Sequence, residues 1–404
     1  MILEFCVTNY LSIKEELKLS FIATPLKESA QGASSLFALS DTGISLLRSA
    51  VLYGANASGK SNVLKAMAFF KRLVTDSFKD SQAGEEIDVE NFRLNANSAQ
   101  EPTVMEATFT DGEYIYRYGF EVDRRSVQQE WLYRRLAKKR AKEVELFYRD
   151  SDETSVHPKS QVFQEIVSRN MVRGNALLLS TAAQFNEQTS VSILRWLSDT
   201  QVLFCSEDEK LWENAIRYLD NEKLRERITA FARYADLGIE NISKVDNRLV
   251  SHHRQYDDEG REVNNVAFAF NRNESEGTIK YFALAYPIID ALDHGKRVII
   301  DELDSKLHPL LVKRIIALFN DASTNPYGAQ LLFTAHDTHL LSAELFRRDQ
   351  VWFTQKDNLG ATELYSLAEY KVRSNSPFEK DYLQGKYGAT PLVGDMERVL
   401  NTKM

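Results

Sequence analysis

The sequence predicts an α/β fold in which a parallel sheet with helices is joined to an antiparallel β subdomain and interrupted by a helical lobe. Three observations predict it. A short aliphatic run breaks into glycine, asparagine and serine and then into a helical pattern at "VLYGANASGKSN", residues 51–62. The last third alternates strand and helix from "RVIID", residues 297–301, in the order of a parallel sheet. Between these, period-two β runs at about 90–150 give way to charged amphipathic helix at about 157–240.

With 404 residues and 43% hydrophobic content, the chain can bury more than one core. Its longest apolar stretches, such as "YFALAYPII", fall short of the roughly 18 residues of a membrane span, and the N-terminus shows neither a basic leader nor a cleavage site. A cytoplasmic location without membrane contact is the expectation. Cys6 and Cys205 are the two cysteines, too far apart for a disulfide framework and without zinc-ligand spacing. A net charge of −8 confines any nucleic-acid contact to a local patch or a dimer groove.

"LEFCVTNY", "LKLSFIAT" and "SAVLY" read as strands within the first 53 residues. After Lys60, the spacing of Val63, Met67, Phe70 and Val74 predicts a helix with one apolar stripe. "TVMEATF", "YIYRYGFEV" and "VELFYR" predict the β subdomain, with a turn at Asp111. "LWENAIRYLDNEKLRERITAFARY" is the clearest helical segment of the lobe. A hairpin of "RLVSHHRQY" and "VNNVAFAF" precedes the helix opened by "NESEGTIKYFALAY". Then follow "RVIID", a helix from Pro309 to Phe319, "AQLLFTAH", a helix near Leu340, and "QVWFTQ" and "TELYSL" around "DNLG". The domain expectation is 1–156, with the glycine loop and β subdomain; 157–240, the helical lobe; and 241–404, the second part of the α/β head. No sustained heptads occur, which excludes a coiled-coil rod.

Gly54, Gly59, Lys60 and Ser61 fill a G-x-x-x-x-G-K-S frame, the P-loop pattern. A chance match in a chain of this length is on the order of one in a hundred, and this one lies between a strand and a helix. The glycines let backbone N–H groups of Gly54, Ala55, Asn56, Ala57, Ser58, Gly59, Lys60, Ser61 and Asn62 wrap phosphate oxygens at a helix N-terminus. Lys60 is expected on the β- and γ-phosphates of ATP and Ser61 on Mg²⁺.

In "RVIIDELDSKLHP" the carboxylates of Asp301 and Glu302 fall at a strand end, where ligands of open α/β sheets bind, so both are expected to point toward the P-loop. Asp301 would hold Mg²⁺ through water, and Glu302 would orient and deprotonate the attacking water. Arg297, first in the aliphatic run, is expected to shorten the buried part of that strand. His336 follows another core strand, 35 residues beyond Asp301, placed to hydrogen-bond a γ-phosphate. "WLYRRLAKKRAKEVELFYR" carries seven Lys/Arg between Arg134 and Arg149 with aromatics interleaved. It reads either as a solvated face with i,i+4 pairing to its glutamates or as a contact for nucleic acid or an acidic partner.

The P-loop, the strand ending in Asp301-Glu302 and His336, in this order and with some 240 residues between the first two, resemble the ATP-binding-cassette (ABC) type, AAA-family ATPases of the SMC/RecF/OLD superfamily. The resemblance implies a P-loop NTPase fold, the ABC ATPase head, split by an insertion. It implies a signature at Ser275, Gly277 and Thr278 that binds the γ-phosphate of ATP held by a second subunit, so that ATP drives homodimer or higher homo-oligomer formation. The family's two adjacent glycines are here Glu276 and Gly277. It implies further a D-loop at Asp304 and Ser305, and Gln184 as the Mg²⁺-sensing Q-loop residue. "DQVWFTQKDNLGATELYSL" and "DYLQGKYGATP" look most like compact ATPases of bacterial anti-phage defence loci, which implies an effector protein from an adjacent gene. The leading expectation is therefore an ATPase acting as a sensor or clamp on that effector. Alternatives are an OLD-like nuclease, disfavoured by the 68 residues after His336; a RecF-type DNA-repair ATPase; a scaffold with negligible hydrolysis, against which Glu302 counts; and a transporter ATPase subunit, against which the long insertion counts.

Overall fold

Every residue of Ser49–Tyr53, strand β5, is buried, because the strand lies inside a sheet covered on both faces. Ala50 and Leu52 face one core while Val51 and Tyr53 face another, the double burial that parallel strands require. The computed structural model describes residues 1–26, 34–79, 82, 84–150, 154–157, 160–204, 208–235, 238–245, 248–373 and 376–391; Cys205 lies outside them.

Around β5 is a six-stranded sheet in the order β11-β15-β16-β5-β17-β18, comprising Thr200–Leu203, Arg297–Ile300, Gln330–Thr334, Ser49–Tyr53, Val351–Lys356 and Thr362–Ser366. The first five run parallel, and β18 returns antiparallel through the "DNLG" turn. A seven-stranded antiparallel sheet has the order β10-β9-β8-β7-β6-β1-β2: Thr154–Val156, Val144–Arg149, Val127–Leu136, Tyr114–Val122, Thr103–Thr110, Ile2–Thr8 and Leu17–Ser20. Buried Gln330 joins the two sheets, accepting from the N–H of Ile2 at 2.6 Å and donating to its carbonyl at 3.0 Å. A hairpin of β3 (Leu36–Leu39) and β4 (Ile44–Leu47) adds to one side, and β12 (Ile239–Val245), β13 (Arg248–Tyr256) and β14 (Glu262–Ala269) form a third sheet.

The helix after the P-loop, α1 (Lys60–Asp76), buries Val63, Met67, Phe70 and Val74 as its periodicity predicts. Helices α2 (Gln161–Ser168), α3 (Leu178–Gln184) and α4 (Gln188–Ser198) share that core with the antiparallel sheet. By contrast, α5 (Asp208–Tyr218) and α6 (Glu222–Ala232) pack with β12, β13, the single turn α7 (Phe270–Asn273) and the long helix α8 (Glu276–His294). The segment expected as one helical lobe at 157–240 thus divides between two cores. Its first half carries Phe163, Leu179 and Trp196 toward the β subdomain, and its second half carries Ala215 and Ile228 toward α8. Helix α9 (Pro309–Asn320) covers the other face of the parallel sheet, and α10 (Phe378–Leu383) lies near the chain end.

Three local expectations change. The region near Leu340 is one 3₁₀ turn, Thr338–Leu340, capped by Asp337. The basic run is a β-hairpin, since it holds β8 and β9, so its charges cannot pair at i,i+4; a cross-strand contact, Arg149 with Glu130 at 3.0 Å, takes that place. Arg297 does not shorten the buried strand, because all four residues of β15 are buried. Its guanidinium stacks on Trp196 at 4.4 Å and donates to the Trp196 carbonyl, closing the C-terminal end of α4. Desolvation pulls its pKa down to about 10.

Candidate nucleotide site

The parallel strands end on one edge, and β16 lies between β5 and β15. Beyond β5 the chain turns through Gly54 to Gly59 and enters α1 with no side-chain cap, so the helix start leaves backbone donors facing outward. Gly59 has φ 110°, and a Cβ there would fall inside the Thr362 side chain, which allows no other residue type. Thr362 donates to the Ser58 carbonyl at 3.0 Å, and the Ser58 hydroxyl meets that of Thr354 at 2.6 Å. The loop is thus gripped from β17 and β18. Asn56 and Ala57 form its exposed tip. Asn62 turns away from it and donates to Ser12 at 2.6 Å.

Lys60 is buried and donates to the carbonyls of Gly54 at 2.8 Å and Ala55 at 3.1 Å. No carboxylate lies within ion-pairing distance of its Nζ among the described residues. Desolvation lowers its pKa, opposed by the charges of Asp301, Glu302 and Asp304. A buried ammonium held only by carbonyls in an uncapped helix start fits a phosphate.

Ser61 donates to Asp301 Oδ1 at 3.1 Å, which brings the expected metal-binding hydroxyl and carboxylate together across 240 residues. Thr334, at the end of the intervening strand β16, donates to the same Oδ1 at 2.7 Å and accepts from the N–H of Glu302 at 2.6 Å. These hard oxygen donors fit Mg²⁺. Among the described residues no group of three or more His, Cys, Asp or Glu could hold a metal alone, and Mg²⁺ ordinarily takes one or two carboxylates with substrate phosphates.

Glu302 is the second carboxylate beyond the end of β15. It adopts φ 50°, an uncommon conformation for a non-glycine residue, and faces His336 with Oε1 3.7 Å from Nε2. The backbone N–H of His336 and that of Asp337 both donate to Asp304 Oδ2, at 2.7 and 2.6 Å. The other oxygen of Asp304 is buried with no hydrogen-bond partner among the described residues. The expected D-loop aspartate therefore braces the loop that carries His336.

Ser275 is the N-cap of α8, accepting from the N–H of Thr278 at 3.1 Å. Gly277 is needed where it stands, since a Cβ would meet the carbonyl of Lys306 at 2.6 Å. One turn later Lys280 donates to the carbonyls of Glu302 and Ser305 at 2.7 and 2.8 Å, fastening α8 to the loop after β15. Gln184 is not brought to the site. It is exposed at the end of α3, a helix whose Ser180 meets the chain at Phe78, beyond the far end of α1. Sequence reasoning passed over Thr334 and Lys280. A polar residue closing the aliphatic run "QLLFT" is a usable signal for the first; nothing local marks the second.

A model of the family described as "AAA domain, putative AbiEii toxin, Type IV TA system" matches residues 49–342, well over half of the chain. The chain belongs to this family. The matched region runs from β5 through the P-loop to just past His336, so it contains the P-loop, Asp301-Glu302 and His336, while the segments 349–367 and 381–391 lie beyond it. No curated protein matches the chain. Solved structures similar to it include an SMC head domain from Thermotoga maritima, at 12% identity over 92% of this chain and 99% of that one, with a TM-score of 0.41. The recombination mediator RecF of the RecFOR pathway is similar at 14% identity over 90% and 98%, TM-score 0.28. CbiO1 from Clostridium perfringens, part of the ABC transporter complex cbiONQ, is similar at 11% over 83% and 87%, TM-score 0.30. Among the described residues no helix is long and apolar enough to cross a membrane.

Proposed function

We propose that this chain binds ATP at the P-loop, hydrolyses it, and uses ATP to close a homodimer that controls a partner effector in a toxin–antitoxin or anti-phage system. One observation carries the reading: Ser61, Asp301 and Thr334, from three distant segments, converge on a single carboxylate oxygen beside buried Lys60. When bound, Mg²⁺ would supply charge neutralisation at the β- and γ-phosphates, held by Ser61 and Asp301. Lys60 would exchange its carbonyl partners for phosphate oxygens. Glu302 would take a proton from the attacking water, and His336, 3.7 Å from Glu302, would orient both water and γ-phosphate. Ser275 and Thr278 of one copy would meet the γ-phosphate held by the other. The family description's reference to a type IV toxin–antitoxin system supports an effector or antitoxin as partner.

The test is Glu302→Gln, which keeps size but cannot accept a proton. ATP affinity should persist, hydrolysis should stop, and ATP should double the mass read by light scattering. A mass unchanged by ATP refutes ATP-driven closure for a protein that is monomeric beforehand.

A second reading, nucleic-acid binding, rests on the β8–β9 turn. Arg134, Arg135, Lys138, Lys139, Arg140 and Lys142 form no ion pair among the described residues, and three of them line an open cleft of about 730 Å³ with Tyr114, Gln161 and Thr189. Fluorescence anisotropy of labelled single- and double-stranded oligonucleotides, with Arg135→Gln/Lys142→Gln as the comparison, decides it. Salt-insensitive or mutation-insensitive binding excludes this cleft.

A further inference from the structure

The nucleotide site has a component outside the matched region 49–342. The N–H of Ala55, second residue of the P-loop, donates to the carbonyl of Ala389 at 2.9 Å. That carbonyl also accepts from the Tyr382 hydroxyl at 3.0 Å. Ala389 is buried and has φ 56°, following Gly388 at φ 66°. Two successive left-handed residues do not arise by intrinsic preference, so the surroundings must impose them. They do so through side chains of β17 and β18. Gln355 accepts from the N–H of Ala389 at 3.3 Å, and Tyr365 donates to the carbonyl of Tyr387 at 2.7 Å. The rings of Tyr382 and Tyr387 stack on Phe353.

We infer that this C-terminal hook, residues 378–390, is a positioning element of the nucleotide site that holds the P-loop open for ATP. Ala55 is gripped from both sides, its N–H by the hook and its carbonyl by Lys60. When Lys60 swings to phosphate, the carbonyl is released and the hook alone keeps Ala55 in place. Without the hook, ATP must order the loop at the cost of its own binding energy. The inference rests on the ATP-binding reading above.

Gly388→Val tests it, since valine resists positive φ and its Cβ would meet Gln355 and Tyr365 at 2.8 Å. Hydrogen exchange should show Ala55 losing protection in the nucleotide-free variant. The Kd and KM for ATP should rise roughly ten-fold, with kcat at saturating ATP within about twofold of wild type. Tyr382→Phe, which keeps the ring and removes one donor, should show the same pattern at roughly two- to threefold and serves if the valine variant does not fold. Faster Ala55 exchange with unchanged ATP affinity, or a fall in kcat at unchanged KM, overturns the hook's role. Unchanged exchange and affinity in both variants do the same. A wild-type protein that binds no ATP overturns the nucleotide reading itself, and this inference with it.

Discussion

At the edge of the parallel sheet Lys60, Ser61, Asp301 and Thr334 are tied to one another or to the loop they serve, whereas at the start of α8 Ser275 and Thr278 are bonded to each other. The first region is assembled within one chain, its parts drawn from strands whose order the buried core fixes. The second has Ser275 exposed and Thr278 buried, is capped like any helix, and is linked to the loop after β15 through Lys280, the ion pair of Glu276 with Lys306 at 3.6 Å and the close approach of Gly277 to Lys306. On the proposed function, the first region would hold phosphate and metal within one chain, and the helix start of the second would meet the phosphate held by another copy. The exposure of Ser275 and the burial of Lys60 are thus two parts of one arrangement.

The largest expected effect breaks the first region. Lys60→Ala should weaken ATP binding by about 2–3 kcal/mol, roughly a hundredfold, by removing a charge-assisted contact. Calorimetric titration with a non-hydrolysed ATP analogue measures it, and wild-type affinity in the mutant would remove the basis of the site. The next tests the second region. Ser275→Arg should bind ATP normally and hydrolyse none, yet mixing it with Lys60→Ala should restore steady-state ATPase well above the sum of the separate preparations, given subunit exchange. A verified heterodimer without activity leaves Ser275 as a helix cap.

Thr334→Val sharpens the comparison from within the first region. It deletes the hydroxyl between Asp301 and the Glu302 amide, so kcat should fall roughly tenfold, about 1–1.5 kcal/mol, with the apo fold retained. A kcat equal to wild type would show that β16 contributes only its place in the sheet. The smallest expected effect lies at the opposite end of β15. Because the folded-state pKa of Arg297 is lowered to about 10, the unfolded chain binds more protons between about pH 10 and the ordinary arginine value. Its charge therefore opposes folding at neutral pH, and that opposition fades as pH rises through 10. Arg297→Met trades this cost against the lost hydrogen bonds to Trp196 and Thr200, so denaturant unfolding should change by less than about 2 kcal/mol and kcat should not move. A large fall in kcat would show that the buried end of the strand communicates with the site.

The sequence by itself determined the P-loop and its flanking strand and helix, the strand ending at Asp301, and the period-two runs of the antiparallel sheet. These are local matters: glycines at fixed spacing in the turn between a strand and a helix, a 3.6-residue stripe in α1, and alternation in β6 and β7. It left the segment 157–240 as one lobe, since α4 and α5 are both amphipathic and only long-range packing distributes them between cores. It placed Gln184 near the metal, although the direction of α3 carries that residue away. It read Arg297 as a polar interruption because a buried guanidinium is tolerated only where Trp196 and the end of α4 happen to receive it. The roles of Lys280 and Ala389, and the partners of Thr334, were decided by tertiary structure. Each acts through hydrogen bonds to groups 20 to more than 300 residues away, and no spacing within its own segment encodes which partner the fold will bring within 3 Å.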